Sequence, residues 1–347
     1  MESNPTIRNL ETLFGYTREE AAFLALAALN SGYFLRRQFS SFAGVVRGKR
    51  ATHLIEKLTT NGHIRQLTFR SDRAIYHLCA RPLYAALGDE NNRNRRKHHV
   101  FTIKNRIMGL DFILEHPSER FLGTENERLT FFSERLDAPI EVFPAKRYRA
   151  KKDIGQHTDR YFVDKFPISV RNESLPPPVV RFAFVDEGLN GLSAFETYLR
   201  QYRGLFDSLE SFEVIYVAAV EQHFRAAKAL FARWFGDSDA TKSQKLASRL
   251  IEYFQQRERY DRKDASTFTR SAVKQFRADR QQFSGAQYEQ MFSDWRARGD
   301  SVVYAMLTQS SAPRCASSRR FSTHLLRFDY NLFGSVAKGK WEAQLGA

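Results

Sequence analysis

Between residues 32 and 79 the apolar and polar positions change period twice, and each change marks an element. Ala51, Leu54, Ile55 and Leu58 fall at i, i+3, i+4 and i+7, the spacing of one buried helix face. Lys49, Arg50, His53 and Lys57 are left to the other side. Asn61-Gly62 tolerates a left-handed backbone and stops that helix. Ile64, Leu67 and Phe69, then Ala74, Ile75, Tyr76 and Leu78, read as two short strands around the polar tip Arg70-Ser71-Asp72-Arg73. Residues 34–42 supply a shorter helix ahead of the basic one. The order is that of a helix-turn-helix followed by a β-wing.

Upstream, Thr17 and Glu20 have the spacing of a capping box, and the run AAFLALAALNSG after them is apolar nearly all round. Such a helix is expected to pack beneath the winged unit; a homodimer seam is its other use. Downstream, residues 81–87, 103–114 and 124–135 read as helices, and a boundary is expected near 139–144. Residues 160–170, 179–185 and 212–220 are β-branched, aromatic-rich runs typical of buried strands. Helices over 193–209 and 224–235 follow the second and third of them, and from 241 the pattern is mostly helical and polar. The fold class expected is α+β. Residues 1–138 form a winged helix-turn-helix domain with flanking helices, 139–240 an α/β domain, and 241–347 a helical extension.

Composition adds a direction. Hydrophobic residues make up 42% and aromatics 14%, which suits packed cores rather than disorder. The net charge is +15, and the first 116 residues hold 18 Lys+Arg against 10 Asp+Glu, so about half the excess sits in the first third. A basic balance favours a polyanion. Nucleic acid is preferred to an acidic membrane, because no apolar run approaches the roughly 20 residues a bilayer needs. The first residues show no basic segment leading into an apolar stretch, so no secretory signal is expected. Cys79 and Cys315 stand alone and far apart, which argues against a disulfide framework or a cysteine zinc site and fits a cytoplasmic location.

The partner these features imply is double-stranded DNA. Lys49, Arg50, Thr52, His53 and Lys57 would face the major groove, with Arg50 and Thr52 nearest the helix start and best placed for base edges. Arg70 and Arg73 would hold phosphates or the minor groove from the wing. Arg95, Arg96 and Lys97, in the most basic segment of the chain, would contact phosphates as a mobile arm, or belong to a solvated loop. A second basic run, Lys146, Arg147, Arg149, Lys151 and Lys152, reads first as a solvated linker and second as an extension of the footprint. No cofactor is expected. The adjacent His98 and His99 do not converge on a metal. The run GSVAKGK over 334–340 has phosphate-loop spacing, but Trp341 stands where a Ser or Thr should be.

Taken together, LIEKLTTNGHIRQL through AIYHLC, then FAFVDEG leading into a helix with TYLRQY, resembles the replication-relaxation family, winged-helix proteins of plasmids and integrative elements. The resemblance spans about 15–235 and implies DNA binding in maintenance or gene control of a mobile element. It also implies a second domain similar to a diminished restriction-endonuclease-like fold. In that setting Asp164 and Asp186, with Glu187, could meet at neighbouring strand ends and hold Mg²⁺ for phosphodiester cleavage. The lysine expected one residue beyond the spacer is missing in both registers, since Gly188 and Leu189 occupy those places. A degenerate fold is therefore expected in preference to a working nuclease. A winged helix used for protein interaction is the remaining alternative.

Overall fold

Thr17 and Glu20 do form the reciprocal cap: the Glu20 amide donates to Thr17 Oγ1 at 3.2 Å, and the Thr17 amide donates to Glu20 Oε2 at 2.9 Å. That cap starts the second helix of a mixed α+β chain. The computed structural model describes residues 5–45, 49–68, 74–149, 157–171, 178–189, 191–235, 239–262, 270–310 and 319–330. The first elements are α1 (Pro5–Phe14), α2 (Arg18–Asn30), β1 (Tyr33–Leu35), α3 (Arg36–Phe42), α4 (Arg50–Thr60), β2 (Ile64–Thr68) and β3 (Ala74–Leu78). Strands β1, β3 and β2 make a three-stranded sheet in that order, antiparallel throughout. Residues 34 and 35, expected to open a helix, belong instead to strand β1. Tyr33, Phe34 and Leu35 are all buried and pair with His77, Tyr76 and Ile75. Leu54, Leu58 and Ala51 of α4 close on Phe23, Leu24 and Ala27 of α2, as the helical spacing requires.

The chain continues through α5 (Arg81–Ala86), α6 (Val100–Leu114), β4 (Arg120–Phe121), α7 (Glu125–Thr130), β5 (Ala145–Arg149), β6 (His157–Tyr161), β7 (Ile168–Arg171), β8 (Val179–Asp186), α8 (Gly191–Ser208), β9 (Phe212–Ala218) and α9 (Phe224–Phe235). Four helices follow, α10 (Asp239–Asp261), α11 (Arg270–Gln282), α12 (Ala286–Arg298) and α13 (Asp300–Ser310), and then β10 (Arg319–Leu325). The main sheet runs β10-β9-β8-β7-β4, parallel across β10, β9 and β8 and antiparallel beyond. Among the described residues no helix is long and apolar enough to cross a membrane.

Two layers cover that sheet. On one face Phe182, Phe184 and Tyr216 meet Phe195, Tyr198, Tyr202 and Phe206 of α8 through ring contacts. On the other, Ala183, Val185, Ile215 and Val217 pack against Val100, Ile103, Ile107, Met108 and Phe112 of α6. The same cluster takes in Tyr33, Leu35 and Ile75 of the small sheet. Helix α6 is thus shared, which is why the division expected at 138 falls inside one compact unit. That unit comprises Met1–Leu230 and Ser318–Ala347; Phe231–Ser317 form a second unit, inserted in sequence between β9 and β10. The second unit has its own core of Leu250, Tyr253, Phe254, Phe292 and Trp295.

The single strand expected over 160–170 is broken in two. Phe162 and Lys165 adopt positive φ (49° and 60°), which no continuous strand can hold, so β6 ends and the chain turns before β7. Asp164 lies in that turn. Strand β10 also departs from the helical expectation; its sequence RRFSTHL is polar, and it sits at the sheet edge where one neighbour suffices.

Buried charge in the sheet is handled by a network. Arg181 of β8 pairs with Glu119 and, at 2.9 Å, with Glu213. Ser169 Oγ donates to Glu119 and Ser322 Oγ to Glu213, each at 2.6 Å. Removing the central cation leaves two desolvated carboxylates facing each other. Arg181→Met is therefore expected to cost about 3–5 kcal/mol of folding stability, read from urea denaturation. A loss under about 1 kcal/mol would show that the carboxylates reach water.

Candidate nucleic-acid interface

The outer side of α4 sets the geometry. Burying Ala51, Leu54 and Leu58 turns Arg50 and His53 outward, and both are exposed, as is Lys49 just before the helix. Arg50 Nη1 lies 3.6 Å from Glu19 Oε2, with side chains 65% and 42% exposed. A pair so open to water holds weakly. Thr52 is half-buried, and its hydroxyl accepts from Arg36 Nη2 at 2.5 Å. Arg36 itself is exposed at the first turn of α3; it escapes a sequence search centred on α4, and only the packing of α3 beside α4 brings it there.

Lys57 differs from its neighbours. Its ammonium donates to Glu20 Oε2 at 2.8 Å and to the Gly15 carbonyl at 3.2 Å, and it stands 5.6 Å from the Tyr16 ring centroid. Only a third of that side chain and 11% of Glu20 are exposed. The residue expected on the major groove is tied to the carboxylate that caps α2 and so joins α4 to it. On the wing, Arg70 and Arg73 lie outside the described residues. Arg65 is exposed on β2.

The segment expected to be either a mobile arm or a solvated loop is docked through its backbone and the Asn94 side chain. Asn94 is fully buried; its side-chain amide donates to the Ala28 and Leu29 carbonyls at 2.9 and 3.0 Å. Its own carbonyl meets His77 Nε2 at 2.9 Å. Gly32, at φ +79°, makes this approach possible, since a Cβ there would stand 2.6 Å from the Asn94 oxygen. Tyr33 Oη donates to the Arg96 carbonyl and accepts from the His98 amide. Arg95 turns back onto the Glu90 carbonyl at 2.6 Å, whereas the side chains of Arg96 and Lys97 are exposed. Three residues expected to act alike therefore divide, with two facing solvent from a fixed backbone. Lys151, Lys152 and the run 334–340 lie outside the described residues; Lys146 and Arg147 are exposed on β5.

The two carboxylates proposed for a metal go separate ways. Asp164 Oδ1 accepts from Tyr202 Oη at 3.0 Å and from the Phe166 amide, and burial raises its carboxyl above the usual range against the nearby Arg128. Asp186 Oδ2 accepts from Tyr216 Oη at 2.6 Å and Oδ1 from the Gly188 amide at 2.8 Å. Lys104 of α6 does reach the end of β8, but its ammonium donates to the Glu187 carbonyl at 2.6 Å. Burial lowers Lys104 and raises Glu187. Beside Asp164, burial pushes Lys165 down to about 7. Among the described residues no three His, Cys, Asp or Glu side chains gather as a metal set.

Comparison with protein-family models finds no match, and neither curated proteins nor solved structures give one. The arrangement of these side chains therefore carries the functional argument.

Docking of the basic segment has a pH signature. Burial, reinforced by Arg106, pushes His98 down to about 4, so it stays neutral in the fold while its unfolded form titrates near 6.5. Between these values the unfolded chain binds the extra proton, and stability falls as pH drops from about 6.5 toward 4. His98→Gln is expected to remove about one proton from the uptake on unfolding near pH 5, measured from the pH dependence of urea denaturation. An unchanged slope would mean that the imidazole is protonated in the fold.

Proposed function

We propose that this chain is a sequence-specific double-stranded DNA-binding protein, with α4 as the recognition helix of a winged helix-turn-helix. The single observation that carries the reading is the outward array of Lys49, Arg50 and His53 on a helix whose opposite face is clamped to α2. The succession α2, β1, α3, α4, β2, β3 and the sheet order β1-β3-β2 support it, because they give α4 a rigid mount and place a β-hairpin next to it. A helix of this length and charge suits the major groove. Arg36 and Arg65 join the expected contacts, Arg96 and Lys97 serve as phosphate ligands, and Lys57 acts by holding the helix rather than by touching DNA.

The same reading extends to biology. Control of replication, transfer or transcription on a mobile genetic element is the role that the resemblance to the replication-relaxation family supports, and the sheet carrying β8 and α8 is then a restriction-endonuclease-like fold put to non-catalytic use. The separate partners of Asp164 and Asp186 favour binding over cleavage.

The test begins by selecting a preferred duplex from a random pool with the full chain. Arg50→Ala is expected to cost about 1–3 kcal/mol on that duplex and far less on unrelated DNA, measured by mobility shift at fixed salt. Equal losses on both would remove Arg50 from base reading, and absence of any duplex binding at low salt would remove the function.

A further inference from the structure

Strands β5 and β6 form a two-stranded hairpin, paired from Ala145↔Tyr161 to Arg149↔His157. Lys146, Arg147, His157, Thr158, Asp159 and Arg160 are all exposed, so the ribbon has water on both sides instead of a packed face. An unsupported ribbon of this kind is marginal in water. Here its stem is fastened. The Phe162 amide donates to the Pro144 carbonyl at 2.9 Å, and the Tyr161 amide donates to Glu125 Oε1 at 2.9 Å. Phe143 and Phe162 anchor the base in a buried aromatic stack with Phe132. The cations on it are consequently held at fixed positions, unlike those of a solvated linker.

The hairpin also meets the docked basic segment. The Arg93 guanidinium lies over the Tyr148 ring at 4.9 Å and donates to its hydroxyl at 3.3 Å, and the Lys146 ammonium is 5.8 Å from the same centroid. The ribbon thereby joins the segment that exposes Arg96 and Lys97. Two acids lie close by. Asp159 takes both nitrogens of Arg147, at 2.9 and 3.1 Å, and Glu125 stands 3.5 Å from Arg160. Both pairs are open to water and easily exchanged for phosphate.

We infer that the β5–β6 hairpin is a second DNA-contacting element, taking the phosphate backbone of duplex beyond the stretch read by α4, with Lys146 and Arg147 as its phosphate ligands. This rests on the DNA-binding reading. Charge complementarity and continuity with Arg93, Arg96 and Lys97 select duplex backbone as the occupant, and a two-stranded ribbon has the width that a groove admits.

The test uses the full chain and a long duplex carrying the selected site. The K146E/R147E variant is expected to reduce the slope of log affinity against log salt by about 2, since each phosphate contact contributes roughly 0.9. It should also lose hydroxyl-radical protection on one flank while the central protection remains. If the wild type binds no duplex, the functional reading fails. If it binds and the variant keeps both slope and flank protection, the hairpin proposal alone fails. Should circular dichroism show the double variant unfolded, Asp159→Asn decides, because it releases Arg147 and removes the one carboxylate paired with it. Tighter binding supports the contact, and unchanged affinity overturns it.

Discussion

Asp111 holds three distant parts of the chain on one carboxylate. It lies on α6, 2% exposed, and accepts both nitrogens of Arg37 from α3, at 2.6 and 2.7 Å. Tyr330, beyond the last strand, donates to the same group at 2.6 Å, and Phe328 lies under the Arg37 guanidinium at 3.8 Å. A buried carboxylate is stable only when its charge is met, and here the meeting requires α3, α6 and the segment after β10 together. The basic helix therefore has a foundation that reaches through α6 into the main sheet. Separating the small sheet from the large one would expose the apolar side of α6 and strand this charge.

That constraint explains where the positive charges go. Arg37, Arg106, Arg128 and Arg181 are spent inside the fold. Arg128 donates to the Leu122 and Phe166 carbonyls, and burial lowers Arg106 to about 10 beside Asp164. These cations are matched inside by Asp111, Glu119 and Asp164, so they are not available to a ligand. Cations that face solvent stand on α4, at Arg96 and Lys97 and on the β5–β6 ribbon, and also on α8, α9 and the second unit. Only side chains still facing solvent can exchange water and counterions for phosphate, so their placement rather than the total sets what the surface attracts.

The legible parts of the chain were those governed by local rules. The spacing of Ala51, Leu54 and Leu58 located α4, and the Thr17–Glu20 cap located α2, because one helix face and one cap report on a few neighbouring residues. The break at Phe162 and Lys165 had no such signal, since neither residue favours positive φ and the turn is imposed by the aromatic base around them. Strand β10 was hidden for another reason. Its pairing with β9 lies about a hundred residues away in sequence, and polar edge strands lack the alternation of a half-buried one. The candidate site divided along the same line. Exposure of Arg50 and His53 followed from helix periodicity, whereas the capture of Lys57 by Glu20 and of Arg95 by the Glu90 carbonyl are tertiary facts.

Acids at the start of α2 then discriminate between two basic residues one helix apart from them. Glu20 meets Lys57 where little water reaches either group, while Glu19 meets Arg50 in the open at 3.6 Å. A phosphate approaching α4 competes with both carboxylates. Against Glu19 it gives up a screened pair worth little, and against Glu20 it would strand a carboxylate that also closes the helix cap. The same surface thus carries one cation that can be surrendered to a ligand and one that cannot. On the proposed DNA-binding reading, Lys57 holds α4 to α2 and Arg50 is the cation left for a phosphate.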